Sequence, residues 1–487
     1  MKITLITVLA VILSVYTFLT FLFAFNGYPG FIQDSTCFLP TAYFINHFHQ
    51  LINPLYDAGL DPVQHRFLFY PPLFPYIIAY LLRLMPEFYN NISVCLTLID
   101  FLSIVVLLIS IYVYVKKKQI QHSVALYLFS IIWLFGLFSF YGIQEGRPEV
   151  LCKFFIACFL LNNIYQSKRF CNFNNGLFVA LNLITSPIST FYLMIITLGL
   201  LVYQNNFKLK PIVQTLLGFG MILFCFSILY PYRIIELIQG LQKHSQNVIV
   251  NRYAVDYFGN FIRFYITYAY TPFCILNLWI SIGYVGYVLV KRNQLICVGL
   301  LFILTCLISY FSFRDMPMNY NTLVLAPLCF FILFVIFTKI LEKSSRSIFL
   351  KVSSFVLMLV LLVNSTGFIR KTLLFFGTQD SRVSYIDFRK EFIKLYNKTD
   401  KDKKIAISFS LWPYCLDKYK NIILSNTGST VQYEMAQQQY SGSSEPPEHP
   451  GFTLINNGFI SKRPKLGKIP LGNTYPWFQT AVYQKNN

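Results

Sequence analysis

Asp34 lies a few residues past the end of the first long apolar run, and Glu149 sits in Gly146-Arg147-Pro148-Glu149 at the start of another. A carboxylate at a membrane face can stay ionised and still reach a group held in lipid. Asp34 is therefore a candidate general base, able to take the proton of an attacking hydroxyl. Arg66, Arg147 and Arg314 are candidate phosphate partners, because a guanidinium meets phosphate oxygens with two parallel N–H bonds. Each of the three also fits a plainer role as a membrane anchor or half of a structural ion pair. For Glu149 the simplest role is pairing with Arg147, although it could also orient an acceptor or bind a cation. His47 and His49, two apart, point to different sides of a helix and make poor metal ligands as a pair.

The elements that must position these groups are apolar spans. The chain of 487 residues is 55% hydrophobic, 18% aromatic and only 12% charged, which is the composition of a polytopic membrane protein. Its net charge of +20 comes in short basic clusters between apolar runs, not on one face of a soluble fold, so nucleic acid is not an expected partner. The 11 cysteines show no paired metal spacing, and several, such as Cys152, Cys158, Cys225 and Cys297, fall inside apolar runs as small apolar side chains.

A first run extends to Phe25 and reads as a retained anchor, because it is longer than the apolar region of a secretory signal and lacks a small-residue cleavage site. Further runs of spanning length lie at roughly 92–115, 122–141, 148–166, 211–230, 271–290, 295–313, 319–339 and 347–368. The run at 176–203 is interrupted by Thr185-Ser186-Pro187-Ile188-Ser189, which predicts two short spans joined by a turn at Pro187. If Tyr70 to Met85 lies along the membrane face instead of crossing, the basic clusters at 116–118, 168–169, 208–210, 291–292 and 339–346 all fall on one side. The positive-inside rule selects that arrangement. Glu342 alone accompanies those clusters as an acid; the other acids before residue 369 then gather on the opposite, outer face, with Asp100 inside a span, a functional candidate whose partner is not evident from its neighbours.

The expected fold class is an α-helical polytopic membrane protein of about 11 transmembrane helices. Residues 1–368 form the membrane domain, with a first outer loop at 26–90 that holds juxtamembrane helices. Residues 369–487 form a small outer α/β domain, with a strand predicted over 404–409 from its alternation and a loop over 441–447. The outer loop from Tyr230 to about Thr271 is long enough to be a lid or binding surface.

Asp34 in the first outer loop, Tyr56-Asp57, the block His65-Arg66-Phe67-Leu68-Phe69-Tyr70-Pro71-Pro72-Leu73 and Gly146-Arg147-Pro148-Glu149 together resemble the GT-C type integral membrane glycosyltransferases. The likeness is strongest to the branch that uses polyprenyl-phosphate sugars, which includes protein O-mannosyltransferases and the lipid A aminoarabinose and galacturonic acid transferases. It covers roughly residues 1–340. The resemblance implies catalytic roles for Asp34 and Glu149 and substrate-binding roles for His65, Arg66, Tyr70, Arg147 and Arg314. Several relatives carry an acidic pair where this chain has Asp34 followed by Ser35, which speaks against a metal at that position; no cofactor is expected, a divalent cation being open but not indicated.

The implied activity is transfer of a sugar, with inversion, from a polyprenyl-phosphate donor to an outer-face glycolipid, polysaccharide or protein. Membrane lipids are the other partners, and the plasma membrane, with the site on its non-cytoplasmic face, is the expected location. The competing class is a transporter or lipid flippase. That class characteristically shows inverted repeats and midplane charges, whereas here the charges crowd one face.

Overall fold

The computed structural model describes residues 2–27, 35–56, 60–85, 89–120, 146–165, 170–205, 208–250, 271–314, 324–343, 372–373, 375–376, 385–397, 404–407, 412–424, 433–439, 451–460, 465–466, 469–470 and 478–486. Asp34, Asp57, the runs at 122–141 and 347–368 and the 441–447 loop lie outside the described residues.

The helices are α1 (Lys2–Phe25), α2 (Ser35–Phe48), α3 (Leu73–Leu82), α4 (Tyr89–Lys118), α5 (Glu149–Tyr165), α6 (Cys171–Leu183), α7 (Pro187–Asn205), α8 (Leu209–Leu229), α9 (Ile234–Val250), α10 (Thr271–Lys291), α11 (Leu295–Arg314), α12 (Ala326–Lys343) and α13 (Tyr385–Tyr396). Among the described residues, stretches Asn91–Lys118, Pro187–Gln204 and Leu209–Leu229 are long and apolar enough to cross a membrane. With its many further apolar helices, the chain is an integral membrane protein.

The Tyr70–Met85 segment forms a helix of only 10 residues. At 1.5 Å per residue it is about half the length a crossing requires. The interrupted run divides where Pro187 predicts, into α6 and α7, with the break at 184–186. Its first half begins at Cys171, earlier than the apolar run suggests, because Asn174 and Asn175 find partners in α5. Asn162 and Asn163 each donate from Nδ2 to Asn175 Oδ1, at 2.8 and 2.9 Å.

Asp100 gains its partner here: Lys153 Nζ of α5 donates to its carboxylate at 2.5 Å, with the two side chains 5% and 3% exposed. The pair clamps α4 to α5 and accounts for both charges inside the bundle. Of the cysteines singled out above, Cys152 and Cys297 are buried as apolar filler, whereas Cys225 is exposed on α8.

The C-terminal segment carries a five-stranded mixed sheet in the order β2-β1-β3-β7-β4, where β1 is Ile405–Ile407, β2 Ile422–Leu424, β3 Tyr433–Gln439, β4 Phe452–Ile460 and β7 Phe478–Lys485. Lys465–Leu466 (β5) and Ile469–Pro470 (β6) form a separate antiparallel pair. The alternating 404–409 stretch is β1, paired in parallel with β2 and β3. Its apolar side chains, with Phe392 and Tyr396 of α13 and the fully buried Trp412, join the same hydrophobic core as α2, α3 and the start of α5. The last part of the chain is thereby packed onto the first loop.

Candidate functional site

Helix α2 begins at Ser35, the residue covalently next to Asp34, and Ser35 is fully buried. Two distant parts of the chain fix it. Trp412 Nε1 donates to Ser35 Oγ at 2.9 Å. The turn at Gly146 lies against the same place: a Cβ there would sit 2.5 Å from Leu39 Cδ1 and 3.0 Å from Ser35 Cβ. Gly146 also has a φ of +59°, a left-handed conformation that an L side chain disfavours. Both requirements explain why glycine opens this motif.

Further along α2, Pro40 has no N–H to offer the Thr36 carbonyl one turn back. The buried Asn53 replaces it, donating from Nδ2 to Thr36 O at 2.9 Å and Cys37 O at 3.1 Å. Its Oδ1 accepts from the backbone of Leu55 and Tyr56. One side chain thus ties residues 51–56 to the start of α2.

The turn places Arg147 and Glu149 beside that start. The Glu149 carboxylate, 5% exposed, accepts from Arg147 Nε at 3.1 Å, from Arg147 Nη2 at 3.4 Å and from the Tyr70 hydroxyl at 3.3 Å. The Arg147 guanidinium lies 5.4 Å from the centre of the Phe38 ring, which meets the Tyr70 ring edge-on at 5.1 Å. Tyr70 Oη is 2.9 Å from Ser186 Oγ, at the break between α6 and α7, and Leu73 N donates to Ile184 O at 3.1 Å. Burial, then the adjoining Glu149 carboxylate, raises the Tyr70 hydroxyl well above the ordinary phenol range, so it stays protonated. Four sequence-distant stretches therefore meet at Glu149: the Tyr-Pro-Pro turn, the Gly-Arg-Pro-Glu turn, the Pro187 break and α2.

Arg66 stands in a second cluster. Its Nε donates to Asp61 Oδ2 at 2.6 Å and its Nη1 to Glu236 Oε1 at 3.1 Å, and its guanidinium lies 5.6 Å from the Tyr232 ring centre. Burial raises the Asp61 carboxyl, but the Arg66 side-chain hydrogen bond, the backbone N–H groups of Gln64 and Arg66 and the Arg66 charge together outweigh it, and the net shift is downward. Arg66 thus pins the first loop to α9, and a phosphate reaching it would compete with two carboxylates. His65 forms the turn before it with a φ of +55°; its carbonyl accepts from Asn53 N at 2.8 Å. Arg314 ends α11, and its side chain, like Asp34, lies outside the described residues.

His244 is a site residue that the sequence does not single out. Gly240 seats α9 on the Leu68 backbone, closely enough that a Cβ would meet the Leu68 carbonyl. One turn on, the His244 ring stands 5.5 Å from Phe69. Burial, with the Arg147 charge second, lowers its pKa and keeps the imidazole neutral. Among the described residues its ring has no hydrogen-bond partner, unlike His47, which contacts Tyr43 O. In the sequence it stands in the long outer loop from Tyr230 to about Thr271, and nothing there pointed to Arg147. No group of three or more His, Cys, Asp or Glu suited to a metal occurs among the described residues.

Comparison with solved structures shows that this chain shares the fold of GT-C membrane glycosyltransferases. ArnT from Cupriavidus metallidurans in its apo state matches with a TM-score of 0.51 at 9% identity, covering 98% of both chains. The Archaeoglobus fulgidus oligosaccharyltransferase, in complex with Zn and sulfate, matches with a TM-score of 0.52 at 9% identity, over 88% of this chain and 68% of that one. ArnT bound to undecaprenyl phosphate gives 0.49 at 9% identity over 97% of both chains. No family model and no curated protein matches by sequence.

Proposed function

We propose that this chain is a membrane glycosyltransferase that moves a sugar from a polyprenyl-phosphate donor to a hydroxyl of a glycolipid, polysaccharide or protein on the non-cytoplasmic face. The GT-C fold supports the class. The observation that carries the reading is the Glu149 carboxylate, buried with Arg147 and Tyr70 against the first turn of the helix that follows Asp34.

In the proposed reaction, Asp34 accepts the proton of the acceptor hydroxyl as its oxygen attacks the anomeric carbon. The bond from that carbon to the phosphate oxygen breaks with inversion, and polyprenyl phosphate leaves with the electron pair. Arg147 faces the developing phosphate charge, and Glu149 holds its guanidinium in register. Tyr70, kept protonated, fixes the far side of the Glu149 carboxylate. His65, Arg66 and Arg314 complete the substrate-binding set proposed from the family pattern, with Arg66 acting through the position of the first loop.

The test is transfer by membranes supplied with a panel of lipid-linked sugars, comparing wild type with Asp34→Asn. The expected result is a folded, inserted variant whose turnover falls by about 10²- to 10⁴-fold, the range for loss of a general base. Retained turnover would reject Asp34 as the base, and no transfer by wild type from any donor would reject the class.

A further inference from the structure

A cavity of about 380 Å³ opens among α7, α10, α11 and α12, far from the Glu149 cluster. Its α7 wall runs from Ile195 to Tyr203, whereas Ser186, just before α7, touches Tyr70. At 1.5 Å per residue the cavity lies about 14 to 26 Å further along the bundle, toward the opposite membrane face. The lining is almost wholly aliphatic, and many of its side chains are only half-buried, so it opens outward. An apolar space of this size has no counterpart in a well-packed interior. In a bilayer such a groove fills with hydrocarbon.

Its rim is cationic. Lys339 Nζ lies 5.5 Å from the Tyr284 ring centre, and the Arg292 guanidinium lies 5.7 Å from the Tyr203 ring centre and donates to that hydroxyl. Both tyrosines line the cavity, as does Lys339. Among the described residues neither cation has a carboxylate within salt-bridge distance. Two basic groups on aromatic platforms at the mouth of an apolar groove form the complement of a phosphate joined to an acyl chain.

We propose that this groove binds one anionic glycerophospholipid from the leaflet opposite the Glu149 cluster, its acyl chain in the cavity and its phosphate between Lys339 and Arg292. A polyprenyl phosphate shares this chemistry. A donor whose phosphate sits near Arg147, however, would put none beside Lys339, and phospholipid is the occupant the rim selects. The choice of phospholipid over polyprenyl phosphate rests on the proposed placement of the donor phosphate beside Arg147, whereas the groove and its cationic rim do not.

Gly199 supplies the test, because it lines the cavity and a Cβ there meets nothing within 4 Å, so a larger side chain can branch from that position. The full chain is placed in bilayer nanodiscs of phosphatidylcholine with a minor share of phosphatidylglycerol, extracted gently, and its retained lipid identified by native mass spectrometry. Wild type is expected to keep one phosphatidylglycerol, enriched at least tenfold over its share of the bilayer. Gly199→Phe is expected to lower that occupancy at least tenfold while unfolding at the wild-type temperature in lipid-free detergent. The exposed pair Lys339→Gln and Arg292→Gln is expected to keep a lipid but lose the preference, giving the two phospholipids in bilayer proportion. Unchanged retention in Gly199→Phe, no retained lipid in wild type, absence of any headgroup preference, or retention of an added polyprenyl phosphate in place of phosphatidylglycerol would each overturn the proposal.

Discussion

Replacing Glu149 with Gln separates the two roles of that carboxylate. The side chains of Arg147 and Glu149 are 12% and 5% exposed, so the pair is governed by the energetics of buried charge and not by those of a screened surface bridge. Taking away one partner of a buried pair costs about 3–5 kcal/mol, because the other charge is left without compensation. Gln keeps an acceptor for Tyr70 and for one Arg147 N–H, which places the expected loss near the lower end, about 3 kcal/mol. Arg147→Met alone should cost a similar amount. With both changes no charge remains buried, and stability should return to within about 1 kcal/mol of wild type, a coupling of several kcal/mol. Reversible unfolding in mixed detergent micelles measures all four corners of the cycle. Transfer should be lost in both single variants and stay lost in the stable double variant. Single variants costing less than about 1 kcal/mol, or costs that simply add, would show that the pair contributes nothing in the folded protein and refute the reasoning.

Gly146→Ala should cost about 1–2 kcal/mol for the left-handed backbone alone, with more from the contact with Leu39, and should lower turnover more than donor affinity; steady-state kinetics read the split. Asn53→Ala leaves the Thr36 carbonyl without its replacement donor, with an expected cost of about 1–3 kcal/mol, and should speed amide exchange over residues 51–56 and the start of α2. His244 is neutral in the fold, with a pKa below the ordinary value of about 6.5. The unfolded chain therefore takes up a proton first, so stability should fall as pH drops through about 6.5. His244→Gln should flatten that part of the pH profile.

The elements written in local pattern could be read directly. The apolar run at 92–115 is α4, Pro187 divides α6 from α7, the Tyr-Pro-Pro turn starts a helix too short to cross, and alternation at 404–409 gives β1. Arg147 beside Glu149 was legible because the partners are two residues apart. Pairings across long separations were not. Nothing near Asp100 names Lys153, nothing near Arg66 names Glu236, and nothing near Ser35 names Trp412, since these contacts come from how helices and sheet pack and not from spacing along the chain. Arg66 illustrates the limit: its residue type suited phosphate, yet two carboxylates already hold it. His244 was hidden for the same reason, its character being set by burial first and by Arg147 on another turn second.

The bond from Trp412 to Ser35 joins positions 377 residues apart. A ribosome makes the first of these early and the second only after more than four-fifths of the chain has emerged. Until that indole arrives, the opening turn of α2 lacks its hydrogen bond from Trp412, so a nascent or prematurely terminated product would present the proposed site without that brace, whatever the state of the helices already laid into the bilayer.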